Sequence, residues 1–284
     1  MPNDDNAVNI EIQPELYDKF EQIKLENRPD LPEIMDAVLG VGRESTVVYF
    51  TLLRNQGVPV KELSDLIDYS DSWIREKLAL LEAHGLVEVD KGVGKEGKHF
   101  AYYPLPVEDT KRVLLDALDL FDIHIDSRID GLRDDPEEMK LQFRSAASRS
   151  SAESTEVHST VNVRHILEGR TISLRTIATS VFGISQPVIL AYLALVDNPR
   201  SSATELGEAQ DLSRGTVTTR LNKLQERGLA YPLARPTAGS PAYEYVPRPF
   251  DEVQAAMHEQ LDEWVDHADQ IIRDFDQSSV NLSQ

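Results

Sequence analysis

The sequence predicts a mainly helical α+β protein in which two copies of one small fold follow each other, each ending in a long helix. Three observations predict it. The chain matches itself at an offset of 143 residues. One order of amphipathic segments and turn signals occurs in each half. Each half then closes with a long periodic apolar stripe.

The self-match needs no gap. The segment YFTLLRNQG from Tyr49 aligns with YLALVDNPR from Tyr192. Identical pairs include Gly40/Gly183, Asn55/Asn198, Leu63/Leu206, Ser70/Ser213, Leu81/Leu224, Gly85/Gly228, Tyr102/Tyr245 and Pro106/Pro249. There are at least sixteen identities in some 80 positions, where background composition gives about five. An ancestral duplication accounts for this, and the 284 residues suffice for two ordinary domains. The expected division is an extension at 1–33, a first domain with its long helix at 34–132, a Ser-rich linker at 133–160, a second domain with its long helix at 161–276, and a tail at 277–284. Within the extension, Val8–Ile12 reads as a short strand and Glu15–Leu25 as a short helix.

The elements of the first half follow in order. Val48, Leu52 and Leu53 give helical spacing over Ser45–Arg54, which Gly57 and Pro59 end. Lys61–Ile67 is a short second helix. Ser70 is placed to cap a third, Asp71–His84, with Ile74, Leu78 and Leu81 on one face. Gly85 closes it. Leu86–Val89 and Phe100–Tyr103 read as strands around the glycine-rich tip Lys91–Lys98. A long helix follows from Val107 to about Leu132. In the second half Ser202 and Ser213 cap the corresponding helices, Gly228 closes the third, and a second hairpin returns through Tyr243–Val246. Helices, turn, helix and a two-stranded wing make a winged helix-turn-helix.

Composition bounds the function. The chain has no cysteine, which excludes disulfide scaffolds, Cys-ligated zinc fingers and thiol nucleophiles. No apolar run approaches the ~18 residues of a membrane span, and the polar, acidic start MPNDDNAVNIEIQ is no secretory signal. A soluble cytoplasmic protein is expected. The net charge is −20, with 10 Lys and 19 Arg among the bases. Low Lys, abundant acids and no Cys resemble proteins of salt-in halophilic archaea, where molar salt screens repulsion within about 3 Å. Under that reading only local charge informs about partners.

The runs ATELGEAQDLSRGTVTTRLNKLQERGL and VKELSDLIDYSDSWIREKLALLEAHGLV resemble archaeal and bacterial winged-helix transcription regulators of the MarR, ArsR and TrmB-like kind. The resemblance covers about 85 residues of each half. It implies double-stranded DNA as partner, with the third helix in the major groove. The residues so implicated in the second half are Ser213, Arg214, Thr216, Thr218, Thr219, Arg220 and Lys223. Three bases and no acid lie between Ser213 and Leu224. Ser202 and Thr204 open the preceding helix, where N–H groups and hydroxyls suit a phosphate. The first half's third helix carries Arg75 and Lys77 balanced by Asp71 and Glu76, with Trp73 in the place of Thr216. Its wing bears Lys91, Lys95 and Lys98, suited to the DNA backbone. The second half is therefore expected to read bases and the first to hold backbone.

On the C-terminal helix Val253, Met257, Leu261, Trp264, Ala268, Ile271 and Phe275 form a heptad-like stripe. Nine acids against one Arg occupy the rest of that helix. The stripe suits pairing within one chain or between two, and a homodimer through these residues is expected. No nucleotide loop, GxSxG or HExxH occurs, so no enzyme, no cofactor and no metal site is expected, and an effector remains unidentified. The reading is a sequence-specific DNA-binding transcription regulator. Its rivals are a plasmid or viral replication or partition protein and a tandem winged-helix protein-interaction module.

Overall fold

A computed structural model of the chain describes residues 23–24, 27–94, 97–132, 174–235 and 242–276. The expected strand at Val8–Ile12, the helix at Glu15–Leu25, the linker at 133–160 and the tail at 277–284 lie outside these, apart from residues 23–24.

The contacts divide the chain into two compact units. The larger holds Leu25–Gln186 and Gln254–Gln284; the smaller holds Pro187–Val253 with the segment ending at Lys24. This is not the contiguous division expected from the sequence. Residues 174–186 and the long C-terminal helix from Gln254 group with the first half.

The larger unit opens with α1 (Leu31–Leu39), which the sequence reading missed. Its signal was present: Asp30 accepts from Glu33 N at 2.9 Å, Asp30 N donates to Glu33 at 3.1 Å, and a proline sits in the first turn. Then come α2 (Arg43–Arg54), α3 (Val60–Ile67) and α4 (Asp71–Ala83). The Ser70 hydroxyl accepts from Trp73 N at 3.3 Å and so starts α4 as expected. Antiparallel β1 (Val87–Gly94) and β2 (Gly97–Pro104) form the wing. These strands run further than the sequence suggested, so Lys91 and Lys98 lie on strands rather than at a loose tip, and Lys95 lies outside the described residues. The long α5 (Val107–Asp130) and the short α6 (Leu174–Ser180) complete the series before the chain leaves the unit.

The smaller unit holds α7 (Gln186–Asp197), α8 (Ala203–Gln210), α9 (Arg214–Glu226) and the wing strands β3 (Ala230–Arg235) and β4 (Ala242–Pro247). α10 (Phe250–Asp274) begins here and continues into the larger unit. The order of elements is that of α2 through α5. Arg43 opens α2 and Gln186 opens α7, 143 positions on, and the other helix pairs start at the same interval. Positive-φ residues correspond as well: Gly57 with Arg200, Asp68 with Asp211, Gly85 with Gly228.

Each unit buries the same kind of polar bracket. The Tyr49 hydroxyl donates to Leu105 O at 3.1 Å, and the Tyr192 hydroxyl donates to Arg248 O at 2.9 Å. Both bonds tie the first helix of the winged fold to the residue leading into a long helix. Tyr49 also meets the Thr110 hydroxyl at 2.6 Å, and burial pushes its hydroxyl pKa up to about 12.

The long helices pack against each other within the chain. Within the larger unit α10 runs antiparallel to α5. Gln254 donates to Ile129 O at 2.8 Å, His258 bonds Asp126 at 2.8 Å, and Trp264 packs on Phe121 with ring centroids 5.3 Å apart. Phe275 reaches Phe50 of α2, at 5.8 Å between centroids. Leu261, Trp264, Ala268 and Phe275 are at most 4% exposed. Most of the stripe is thus covered within the chain, with Met257 and Ile271 half-buried. Ile271 is corrected. Ile272 is fully buried and Ile271 is not, because the inward spacing continues by fours from Trp264 through Ala268. Among the described residues no helix is long and apolar enough to cross a membrane.

Candidate nucleic-acid interface

The helix-turn-helix of the smaller unit depends on a close approach between α8 and the turn before α9. Gly207 allows it: a Cβ there would lie 2.8 Å from Leu212 O. Asp211 takes the left-handed conformation at φ 55°, and Leu212 N donates to Gly207 O at 2.9 Å. Ser213 then caps α9 by accepting from Thr216 N at 3.2 Å. Val217, Leu221 and Leu224 are buried at 0–1% exposure and fix which face turns outward.

At 3.6 residues per turn, the positions opposite that stripe are Gly215, Thr219 and Asn222, with the acid Glu226 at the helix's last position. All four are exposed, flanked by exposed Arg214, Thr216 and Lys223 and by half-buried Thr218 and Arg220. Arg214, Arg220 and Lys223 have no carboxylate partner among the described residues, and Arg214 and Lys223 are exposed. Asn222 was missed by sequence reasoning, which looked for charge; its place opposite the buried stripe was the available signal. An asparagine there can bond adenine through both its amide groups. Gly215 has open space around its Cβ position, with nothing nearer than Ser213 Oγ at 3.9 Å. Packing within the unit does not require a glycine there.

The hydroxyls differ from expectation. Thr218 donates to Arg214 O at 2.9 Å and Thr219 to Gly215 O at 3.0 Å, while Ser213 and Thr216 bond each other at 2.8 Å. One O–H of the Ser213–Thr216 pair stays available, while Thr218 and Thr219 offer lone pairs and methyl groups rather than free donors. That suits base amino groups and thymine methyls more than phosphates. At the start of α8 the expected phosphate site at Ser202 is closed. The Ser202 hydroxyl accepts from Glu205 N at 3.3 Å, and the Glu205 carboxylate accepts from Ser202 N at 2.7 Å. The helix's own capping box fills its N-terminus and adds a negative charge. Thr204 stays exposed and shares an open concavity of about 370 Å³ with Ser213 and Arg214, rimmed by Glu208 and Asp211. The end of α9 is tied to the segment at Lys24: Lys24 N donates to Arg227 O at 3.0 Å and Arg227 donates back to Lys24 O at 3.2 Å.

The larger unit's corresponding helix is built differently. Lys77 bonds Glu44 at 2.9 Å and Glu76 at 3.0 Å and lies 5.3 Å from the Trp73 ring centroid. Those two carboxylates hold its pKa above the ordinary lysine value. Trp73 stacks on Tyr69, with centroids 4.0 Å apart and planes 13° from parallel. Lys77 is therefore committed to its own unit, against the expectation that it holds DNA backbone. Arg75 remains exposed.

A basic, exposed third helix capped by serine and followed by a two-stranded wing defines a winged helix-turn-helix. Residues 189–230 match the winged helix-turn-helix DNA-binding family, and the smaller unit carries such a domain. No curated protein and no solved structure matches the chain.

Proposed function

We propose that this protein is a sequence-specific, non-catalytic DNA-binding transcription regulator that reads duplex DNA through α9. One observation carries this: exposed Arg214 and Lys223 and half-buried Arg220 lie on one helix with no carboxylate partner among the described residues, in a chain of net charge −20. The match of residues 189–230 to a DNA-binding family supports it. We also propose that the halves descend from a duplication, which the shared interval of 143 residues and the matching tyrosine brackets support. The acidity fits a protein working in molar salt in the cytoplasm.

The test is selection from random duplex DNA in molar KCl, with the Arg214→Ala/Arg220→Ala variant alongside. One enriched motif is expected. Each guanidinium that contacts a base contributes about 1–3 kcal/mol, so the variant should lose the motif. Equal enrichment by variant and wild type would remove α9 as the reader. The Tyr69–Trp73 stack favours a second reading for the larger unit's winged helix, as a protein-contacting module.

A further inference from the structure

We infer that the DNA target is a single, non-repeated site, read by one winged helix of one chain. The inference rests on the proposed reading role of α9 and adds what that site looks like. Two recognition helices of like chemistry, whether in one chain or in two, would select a repeated sequence. Among its described residues this chain supplies one.

The shared interval allows the two helices to be compared position by position. Where α9 has Arg214, α4 has Asp71. Where α9 has Thr219 at the centre of the outward face, α4 has Glu76. Where α9 has Asn222 and Lys223, α4 has Ala79 and Leu80. Asp71 and Glu76 are exposed. Carboxylates at the start and the middle of a recognition face oppose phosphates and most base edges, which accept hydrogen bonds. Of α4's two cations, Arg75, in the place of Thr218, is exposed and flanked in sequence by Asp71 and Glu76, and Lys77, which aligns with Arg220, is held between Glu44 and Glu76. The α4 face is thus electrostatically unsuited to the groove that α9 suits.

A second chain would be the other source of a repeat. The apolar stripe of α10, expected from the sequence to recruit one, has Leu261, Trp264, Ala268 and Phe275 buried, with Trp264 on Phe121 of α5 and Phe275 on Phe50 of α2. One chain therefore brings one reading helix.

The experiment is selection from random duplex DNA with the full chain, followed by the mass of the complex on the selected duplex. The arms are wild type, Arg214→Ala/Arg220→Ala and Arg75→Ala/Lys77→Ala. The expected result is one asymmetric motif, one chain per duplex, and affinity about 10-fold or more weaker in the first variant. The second variant should select the same motif as wild type. An inverted or direct repeat at one-turn spacing, or two chains per duplex, overturns the inference and leaves the DNA-binding reading standing. No motif from folded wild type, or one indifferent to Arg214 and Arg220, overturns both.

Discussion

Two glycines of the smaller unit have opposite reasons to be glycine, and substitution separates them. At Gly207 a Cβ meets a backbone carbonyl at 2.8 Å, so the helix-turn-helix must open to admit it. Gly207→Ala should lower stability by about 1–3 kcal/mol, measured by thermal or denaturant unfolding. At Gly215 the space is open and outward. Gly215→Ala should leave stability unchanged or raise it by up to about 1 kcal/mol, while weakening DNA binding because the added methyl stands between helix and groove. A loss of stability at Gly215 would show instead that packing selects the glycine. His124 gives a third test. Burial, and secondarily Arg128, hold its pKa below the ordinary 6.5, and its buried Nε2 has no hydrogen-bond partner among the described residues. The unfolded chain therefore takes the proton first, and stability present above pH 6.5 is lost as pH falls through that value. Melting temperature should drop from about pH 7.5 to about pH 5.5, and drop less in His124→Gln. The same slope in both would assign the effect to a group other than His124.

At the scale of elements, the tyrosine brackets and the long-helix pair hold the architecture. Tyr49→Phe and Tyr192→Phe each remove a buried hydroxyl bond to the residue before a long helix. Each should cost about 1 kcal/mol by denaturant unfolding. A cost at one position only would mean that the two brackets are not equivalent in energy. The α5–α10 pair depends on Trp264, which is 1% exposed against Phe121. The same pair carries a repulsion. Burial, then Asp262, Asp126 and Asp119, raise the pKa of Asp122, so its ionised form is disfavoured in the fold. Asp122→Asn should therefore raise the melting temperature at neutral pH and low salt, with the gain shrinking as salt screens the cluster. Much of this level was legible beforehand. Ser70, Ser202 and Ser213 announced their helices, and glycines announced two ends. The α1 helix was legible through Asp30 and Glu33 and was missed because its match to the second half is weak. Ile271 was chosen over Ile272 because a heptad count drifts by one position along a straight helix.

For the whole molecule, charge sets two opposed salt effects. With net charge −20, self-repulsion should fall as KCl rises from about 0.1 M to about 1 M, where the Debye length shrinks from about 10 to about 3 Å. Melting temperature should rise over that range. DNA affinity should fall over the same range, because binding releases counterions in proportion to the phosphates neutralised. The sequence by itself determined the repeated order of helices and wing, since periodicity, caps and turn residues act within a few positions of each other. It also determined the positive charge of α9, since charge is additive. It did not determine which of those charges are free. Glu44 is remote from Lys77 in sequence, and Thr218 and Thr219 turn their donors inward. Nor did it determine that the C-terminal stripe meets Phe121 and Phe50 of its own chain. An apolar stripe states that it must be covered, and only the tertiary structure decides by what.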